Sequence, residues 1–339
     1  MKMNRIPKTN LNISPICLGT MTFGSPVCEA DAVRIVRYAC DKGVNFIDTA
    51  NMYEGYARVQ GSAGGVAEKI VGKAIAGHRA DFVVATKVGM KVGEAPEDEG
   101  TSAAAIRKHL DLSLARLGTD YIDLYYLHKP DAEADMIETL HALDKAIKSG
   151  KILHYGISNY SAEQTIALLK AADENGLPRP VIHQPGMSML KQDICADLLP
   201  LCAREGIGVS PYQILQGGLL TGKYRRGQAV PLNSRKAEKD GWVWELTGEL
   251  FDKLEAIESE AKAMGLTMTQ HAIRWALQQA AVVSVVIGVK RIDQIDEAVK
   301  AIGISPLSYE SGYGGVAPFA RTGKVIRSKP ALPQPRAGG

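Results

Sequence analysis

The chain has 339 residues, 45% of them apolar, with 40 Lys and Arg against 37 Asp and Glu for a formal net charge of +3. That length buries a large core, as two ordinary domains or one α/β barrel; the balanced charge and 6% aromatic content argue against a nucleic-acid surface and for a small-molecule partner. The longest apolar stretch, around Ala280 to Val289, is too short to cross a bilayer, the N-terminus lacks an apolar signal core, and Cys17, Cys28, Cys40, Cys195 and Cys202 form no Cys-x-x-Cys pair, so a reducing cytoplasm without membrane span, zinc site or disulfide framework is expected.

In chain order, a first strand is predicted at residues 15–18, then a helix with apolar residues at Ala32, Ile35, Val36, Ala39 and Cys40 that Gly43 ends. A strand at 44–47 runs into Asp48, and a glycine-rich insertion at 55–65 follows Tyr53. The strand at 82–86 runs into Lys87. After a helix through Ile106, Leu110, Leu114 and Leu117, the strand at 122–127 runs into His128. A helix through Met136, Leu140, Leu143 and Ile147 ends near Gly150, and the strand at 152–157 precedes a capping box, Ser161 and Gln164, that opens another helix. Further strands read at 181–183, 207–209 and 282–287, separated by a long polar loop at 222–248 that carries Trp242 and Trp244. Eight strands in βα alternation predict a closed parallel barrel over residues 1–304, followed by a Pro- and Gly-rich tail at 305–339.

Asp48, Lys87 and His128 each stand where an apolar run ends, which marks the C-terminal edge of a strand and the side of a parallel sheet that binds ligands. Singly, each has an ordinary explanation: a cap, a solvated lysine, a structural histidine and, for Tyr53, a loop aromatic. Together they form a device. A phenol with a pKa of about 10 exchanges protons poorly near neutrality, and a lysine ammonium within about 4–6 Å lowers it by roughly 1–3 units. The lysine needs a carboxylate to stay charged where it is partly buried, which Asp48 supplies, and His128 is suited to orient a carbonyl oxygen. A buried Asp48–Lys87 ion pair without catalysis leaves Tyr53 and His128 unexplained.

The order Ile16-Cys17-Leu18-Gly19-Thr20-Met21, Gly43-Val44-Asn45-Phe46-Ile47-Asp48-Thr49-Ala50 with Tyr53, Ala85-Thr86-Lys87, Leu127-His128-Lys129-Pro130-Asp131, Gly156-Ile157-Ser158-Asn159 and Gly218-Leu219-Leu220-Thr221-Gly222-Lys223-Tyr224 resembles the aldo-keto reductase family, up to about residue 302. The resemblance implies a (β/α)₈ TIM barrel with an N-terminal β-hairpin and long loops on its C-terminal face. It also implies NADPH as cofactor and an aldehyde or ketone as substrate, with no metal. Tyr53 would be the general acid, Lys87 and Asp48 would tune it, and His128 would orient the carbonyl. Ser158, Asn159 and Gln184 would hold the nicotinamide carboxamide; Thr20 and Met21 would border the ribose and nicotinamide.

Lys223 and Arg235 fall where relatives contact the pyrophosphate and ribose, and Gln294 and Glu297 lie near the adenine by the same resemblance. The helix beginning beyond Gly288 offers amides and a partial positive charge to a phosphate, and Lys290 and Arg291 suit a 2′-phosphate, favouring NADP over NAD. Where relatives often carry an aromatic before Ser-Pro-Leu, this chain reads Val209-Ser210-Pro211-Tyr212, so Tyr212 is the candidate for stacking on the nicotinamide. Met187 also stands where an aromatic is common, and Ala298 replaces a frequent asparagine. Tyr56 and Arg58 are either contacts to a polar or acidic substrate or loop filler, and Trp242 and Trp244 either cover the mouth or anchor the next helix. A second reading is a nicotinamide-sensing regulatory subunit with slow turnover; the retained His128 speaks for catalysis. A Schiff-base lyase using Lys87 is disfavoured, because Asp48 keeps that amine protonated.

Overall fold

The computed structural model describes residues 1–303; the tail expected at 305–339 lies outside the described residues. A short antiparallel hairpin, β1 (Asn4–Arg5) and β2 (Asn12–Ile13), precedes eight parallel strands: β3 (Ile16–Gly19), β4 (Phe46–Asp48), β5 (Val83–Val88), β6 (Ile122–Leu127), β7 (Ile152–Ser158), β8 (Ile182–Gln184), β9 (Gly208–Val209) and β10 (Val285–Gly288). Between and after them run α1 (Glu29–Asp41), α2 (Val66–Ile75), α3 (Ala103–Leu117), α4 (Met136–Lys148), α5 (Ala162–Glu174), α6 (Leu198–Glu205), α7 (Arg235–Glu238), α8 (Gly248–Ala263), α9 (Met268–Gln278) and α10 (Ile292–Gly303). The strand order is β10-β3-β4-β5-β6-β7-β8-β9. The ends meet just ahead of β10, where the Val209 amide donates to the Ala281 carbonyl at 2.8 Å and the Val283 amide to the Val209 carbonyl at 2.9 Å. The architecture is a (β/α)₈ barrel.

Strand alternation decides what enters the barrel and what the site receives. Cys17, Phe46, Ala85, Leu124, Tyr126 and Ile182 form one buried cluster inside, joined by Ile6 and Ile13 of the hairpin region, while Ile16, Leu18, Ile47, Val84, Tyr125 and Leu127 pack with the helices. Because side chains repeat every second residue, Asp48, Lys87, His128, Ser158 and Gln184 follow Phe46, Ala85, Tyr126, Gly156 and Ile182 onto the inner side. Gly156 makes room there: a Cβ on it would lie 2.6 Å from Tyr126 Cε1 and 2.7 Å from Ile182 Cγ2.

The strands sit one to three residues C-terminal of several predicted positions, since ladder pairing rather than apolarity ends them. Asp48, Lys87 and Gln184 are themselves paired strand residues, and residues 281–283 close the barrel instead of beginning β10. The capping box at α5 forms as expected, the Gln164 amide donating to Ser161 Oγ at 3.1 Å and the Ser161 amide to Gln164 Oε1 at 2.9 Å. The loop at 222–248 is less open than its composition suggests, since it contains α7 and a short turn at Asp240–Trp242.

On the outer side of β8, the fully buried His183 uses Nε2 toward the Tyr160 carbonyl at 3.1 Å, while Nδ1 has no partner among the described residues. Burial pushes its pKa down to about 4. An imidazole neutral in the fold but free to protonate when unfolded contributes stability that is complete above about pH 6.5 and declines as pH falls toward 4. At about 1.4 kcal/mol per unit the loss is about 3 kcal/mol. Urea unfolding of a His183→Gln variant is expected to show a shallower decline than wild type across that window; parallel curves would exclude His183 as its source.

Candidate active site

Lys87 lies completely buried at the end of β5, and its ammonium has three N–H bonds to place. Each has an acceptor: Asp48 Oδ1 at 2.6 Å, the Thr49 carbonyl at 2.8 Å and the Tyr53 hydroxyl at 3.3 Å. The second oxygen of Asp48, itself buried, accepts from Gln184 Nε2 at 2.8 Å. Backbone bonds fix the segment between the carboxylate and the phenol, with the Thr49 amide on the Ala85 carbonyl, the Asn51 amide on the Lys87 carbonyl and the Tyr53 amide on the Ala50 carbonyl. The His128 ring stands edge-on to Tyr53 with centroids 6.0 Å apart. Asn159 holds the histidine's backbone, its Nδ2 donating to the His128 carbonyl at 2.9 Å.

The electrostatics correct one expectation. Burial tends to discharge Lys87, but Asp48 and Tyr53 outweigh it and leave the lysine pKa raised. Burial also raises the Tyr53 pKa, and the lowering by Lys87 does not overcome it, partly because the Asp48 charge opposes the ammonium. The phenol is therefore raised rather than depressed, and it keeps its proton at neutral pH. His128 is held well below its ordinary pKa by burial and by the positive charge of Lys87, with smaller contributions from Lys129 and Arg58, and is a neutral imidazole. A neutral acid backed by a fixed cation, beside a neutral imidazole, is suited to give a proton to an oxygen that gains negative charge.

A groove of about 400 Å³ opens over the strand ends. Of the expected site residues it is lined by Thr20, Met21, Asp48, Tyr53, His128, Ser158, Asn159, Gln184, Tyr212, Lys223, Arg235, Gly288, Lys290, Arg291 and Gln294. Lys87 lies behind Asp48 and Tyr53 and does not line it. A model of the Aldo/keto reductase family matches residues 15–311. The chain belongs to the aldo/keto reductase family. It is 33% identical over 344 residues to a probable voltage-gated potassium channel subunit beta of Arabidopsis thaliana, covering 98% of this chain and 99% of that one. It is also 33% identical over 306 residues to L-glyceraldehyde 3-phosphate reductase of Escherichia coli K12, covering 87% and 86%. Among solved structures, aldo-keto reductase AKR11C1 from Bacillus halodurans, in its holo form, superposes with a TM-score of 0.74 at 28% identity over 91% of this chain and 93% of that one.

At the far end of this aldo/keto reductase's groove, Lys223 is surrounded by cations. Burial lowers its pKa, and Lys290, Arg291 and Arg235 lower it further. Neither Lys223 nor Arg235 forms an ion pair among the described residues. Two unpaired cations held beside two paired ones, with the Glu238 carboxylate opposing the Lys223 shift, fit an anionic group such as a pyrophosphate. The two cations expected at a 2′-phosphate are engaged, Lys290 with Glu238 of α7 and Arg291 with Asp293 through two bonds of 2.9 Å. The backbone amides at this helix start are also taken: those of Lys290 and Arg291 donate to Gln294 Oε1 at 2.7 and 3.2 Å. Gln294 thus occupies the two amides that precede Ile292, the first residue of α10.

Besides Lys87, three expected cofactor contacts do not line the groove. Glu297 turns to accept from the Thr267 hydroxyl, which caps α9. Ser210 is buried with its amide on the His183 carbonyl, and the Pro211 carbonyl accepts from Val286, so both serve barrel closure. Tyr212 lines the groove, with its hydroxyl donating to Asn159 Oδ1 at 2.7 Å. Arg58 is spent on Glu54 and Ser62 Oγ of its own loop and on the Lys91 carbonyl after β5, leaving the acidic-substrate contact without support. Val243, rather than either tryptophan, packs with Leu250 and Leu254 of α8; Trp242 is 47% exposed and meets Tyr56 edge-on at 5.5 Å. The groove also uses Thr22, Met52, Met90, Asn233 and the run from Gln213 to Gly218, which the sequence reading missed. Gln213 and Gln216 have φ of 59° and 44°, a left-handed conformation that glutamine does not advertise; the Gly217-Gly218 pair was the available signal.

Proposed function

We propose that this chain reduces an aldehyde or ketone to the alcohol with NADPH, Tyr53 acting as general acid. The observation that carries the reading is the triply bonded Lys87 ammonium, which ties Asp48 to the Tyr53 hydroxyl at the edge of the groove. When bound, the reduced nicotinamide supplies the hydride. Tyr53 gives its proton to the substrate oxygen, and the phenolate left behind is stabilised by the adjacent ammonium. Asp48 keeps that ammonium charged, and the neutral His128 imidazole offers an N–H to orient the carbonyl. In alcohol oxidation Tyr53 takes the proton back. In this reading Ser158, Asn159 and Gln184 would hold the carboxamide, and Lys223, Arg235, Lys290 and Arg291 the phosphates, with the last two favouring NADPH.

The name of the Arabidopsis relative supports a second reading, a cofactor-binding subunit that reports on a partner and turns over slowly. The complete set of Asp48, Tyr53, Lys87 and His128 favours the reductase. The E. coli relative's name puts small aldehydes at the head of a substrate panel. Purified protein mixed with that panel is expected to consume NADPH faster than NADH and to form the alcohol in equal amount. Tight NADPH binding without turnover on any carbonyl would favour the sensing reading, and a preference for NADH would remove the roles given to Lys290 and Arg291.

A further inference from the structure

Arg235 faces an unusual problem. It lines the groove near Lys223, Lys290 and Arg291, which repel it, yet it has no carboxylate partner among the described residues. Two rings flank it instead: its guanidinium lies 5.6 Å from the centroid of Tyr56 and 5.7 Å from that of Trp242. Lys290 lies 5.2 Å from the Tyr56 ring and Lys239 5.8 Å from it, so three cations converge on one phenol. An aromatic face attracts a cation without cancelling its charge, whereas a carboxylate in the same place would compete with an incoming phosphate.

The rings arrive from separate parts of the chain. Tyr56 belongs to the insertion after β4, in a turn seated on the α1-side loop by its amide bond to the Ser25 carbonyl at 2.7 Å. Gly55 permits that seat, since a Cβ there would lie 1.9 Å from the same carbonyl oxygen. Trp242 closes the turn after α7, the helix that carries Arg235. Neither ring lines the groove, and the Tyr56 hydroxyl is buried without a partner among the described residues. The ring rather than the hydroxyl is therefore the working part.

We infer that Tyr56 and Trp242 form an aromatic platform that positions Arg235, uncompensated, for the phosphate end of the dinucleotide. Both are positioning residues for cofactor binding, acting through the arginine. The inference rests on the cofactor reading proposed above. Tyr56→Leu is expected to weaken NADPH binding, followed by fluorescence titration, by about tenfold, the scale of a cation–π contribution of moderate strength. Tyr56→Phe is expected to bind as wild type. In an Arg235→Met background most of the Tyr56→Leu loss should disappear, which a merely structural role for the ring would not produce. Unchanged binding in Tyr56→Leu, or a tenfold loss that persists in full without Arg235, overturns the inference. A wild-type protein that binds no dinucleotide defeats the cofactor reading itself, and the platform with it.

Discussion

Tyr53→Phe is expected to lower kcat for carbonyl reduction by about 10² to 10⁴, the usual contribution of a positioned general acid. The variant keeps the ring that stands edge-on to His128 and loses only the hydroxyl, so the Lys87 ammonium retains Asp48 and the Thr49 carbonyl as acceptors. NADPH affinity should change little, and the loss should fall on kcat, because the missing interaction matters most as charge develops on the substrate oxygen. The raised phenol pKa adds a second signature. Reduction by wild type should hold its rate from neutral pH into the alkaline range and decline only when Tyr53 itself deprotonates. A Tyr53→Phe enzyme with wild-type kcat, measured by NADPH consumption at saturating carbonyl, would remove Tyr53 as the acid.

The barrel and the meeting of Asp48, Lys87, Tyr53 and His128 were legible because both are written in local pattern. Strands buried on two faces read as short apolar runs, and alternation then carries a polar residue closing such a run onto the inner side, as for Asp48 after Phe46 and Lys87 after Ala85. What could not be read depends on distant partners. Lys290 advertises a phosphate contact, but its ion pair with Glu238 lies 52 residues away. Tyr56 looked like loop filler or a substrate contact because its neighbours, Arg235 and Trp242, come from a segment far along the chain, in and after α7. The direction of the Tyr53 shift was missed for a related reason. Proximity to Lys87 follows from adjacent strands, whereas the balance between that cation, the Asp48 charge and burial requires the packed interior.

Asp48→Asn is expected to cost about 3–5 kcal/mol of stability, the scale on which breaking one side of a buried ion pair acts. The size follows from the donors around the carboxylate. Lys87 Nζ donates to one oxygen and Gln184 Nε2 to the other. An amide offers a single acceptor oxygen, so its NH₂ group must face one of these donors, and the fully buried ammonium loses its counter-charge as well. Lys87→Met leaves the opposite defect, a buried carboxylate held by Gln184 alone, and should be destabilising on the same scale. Combining Asp48→Asn with Lys87→Met removes both charges, so urea unfolding should show part of the summed loss recovered, although Tyr53 would then lack its cation and turnover should stay low. Additive losses in the double variant would mean that the two side chains stabilise the barrel independently, and the claim that Asp48 exists to keep Lys87 charged beside Tyr53 would fail with them.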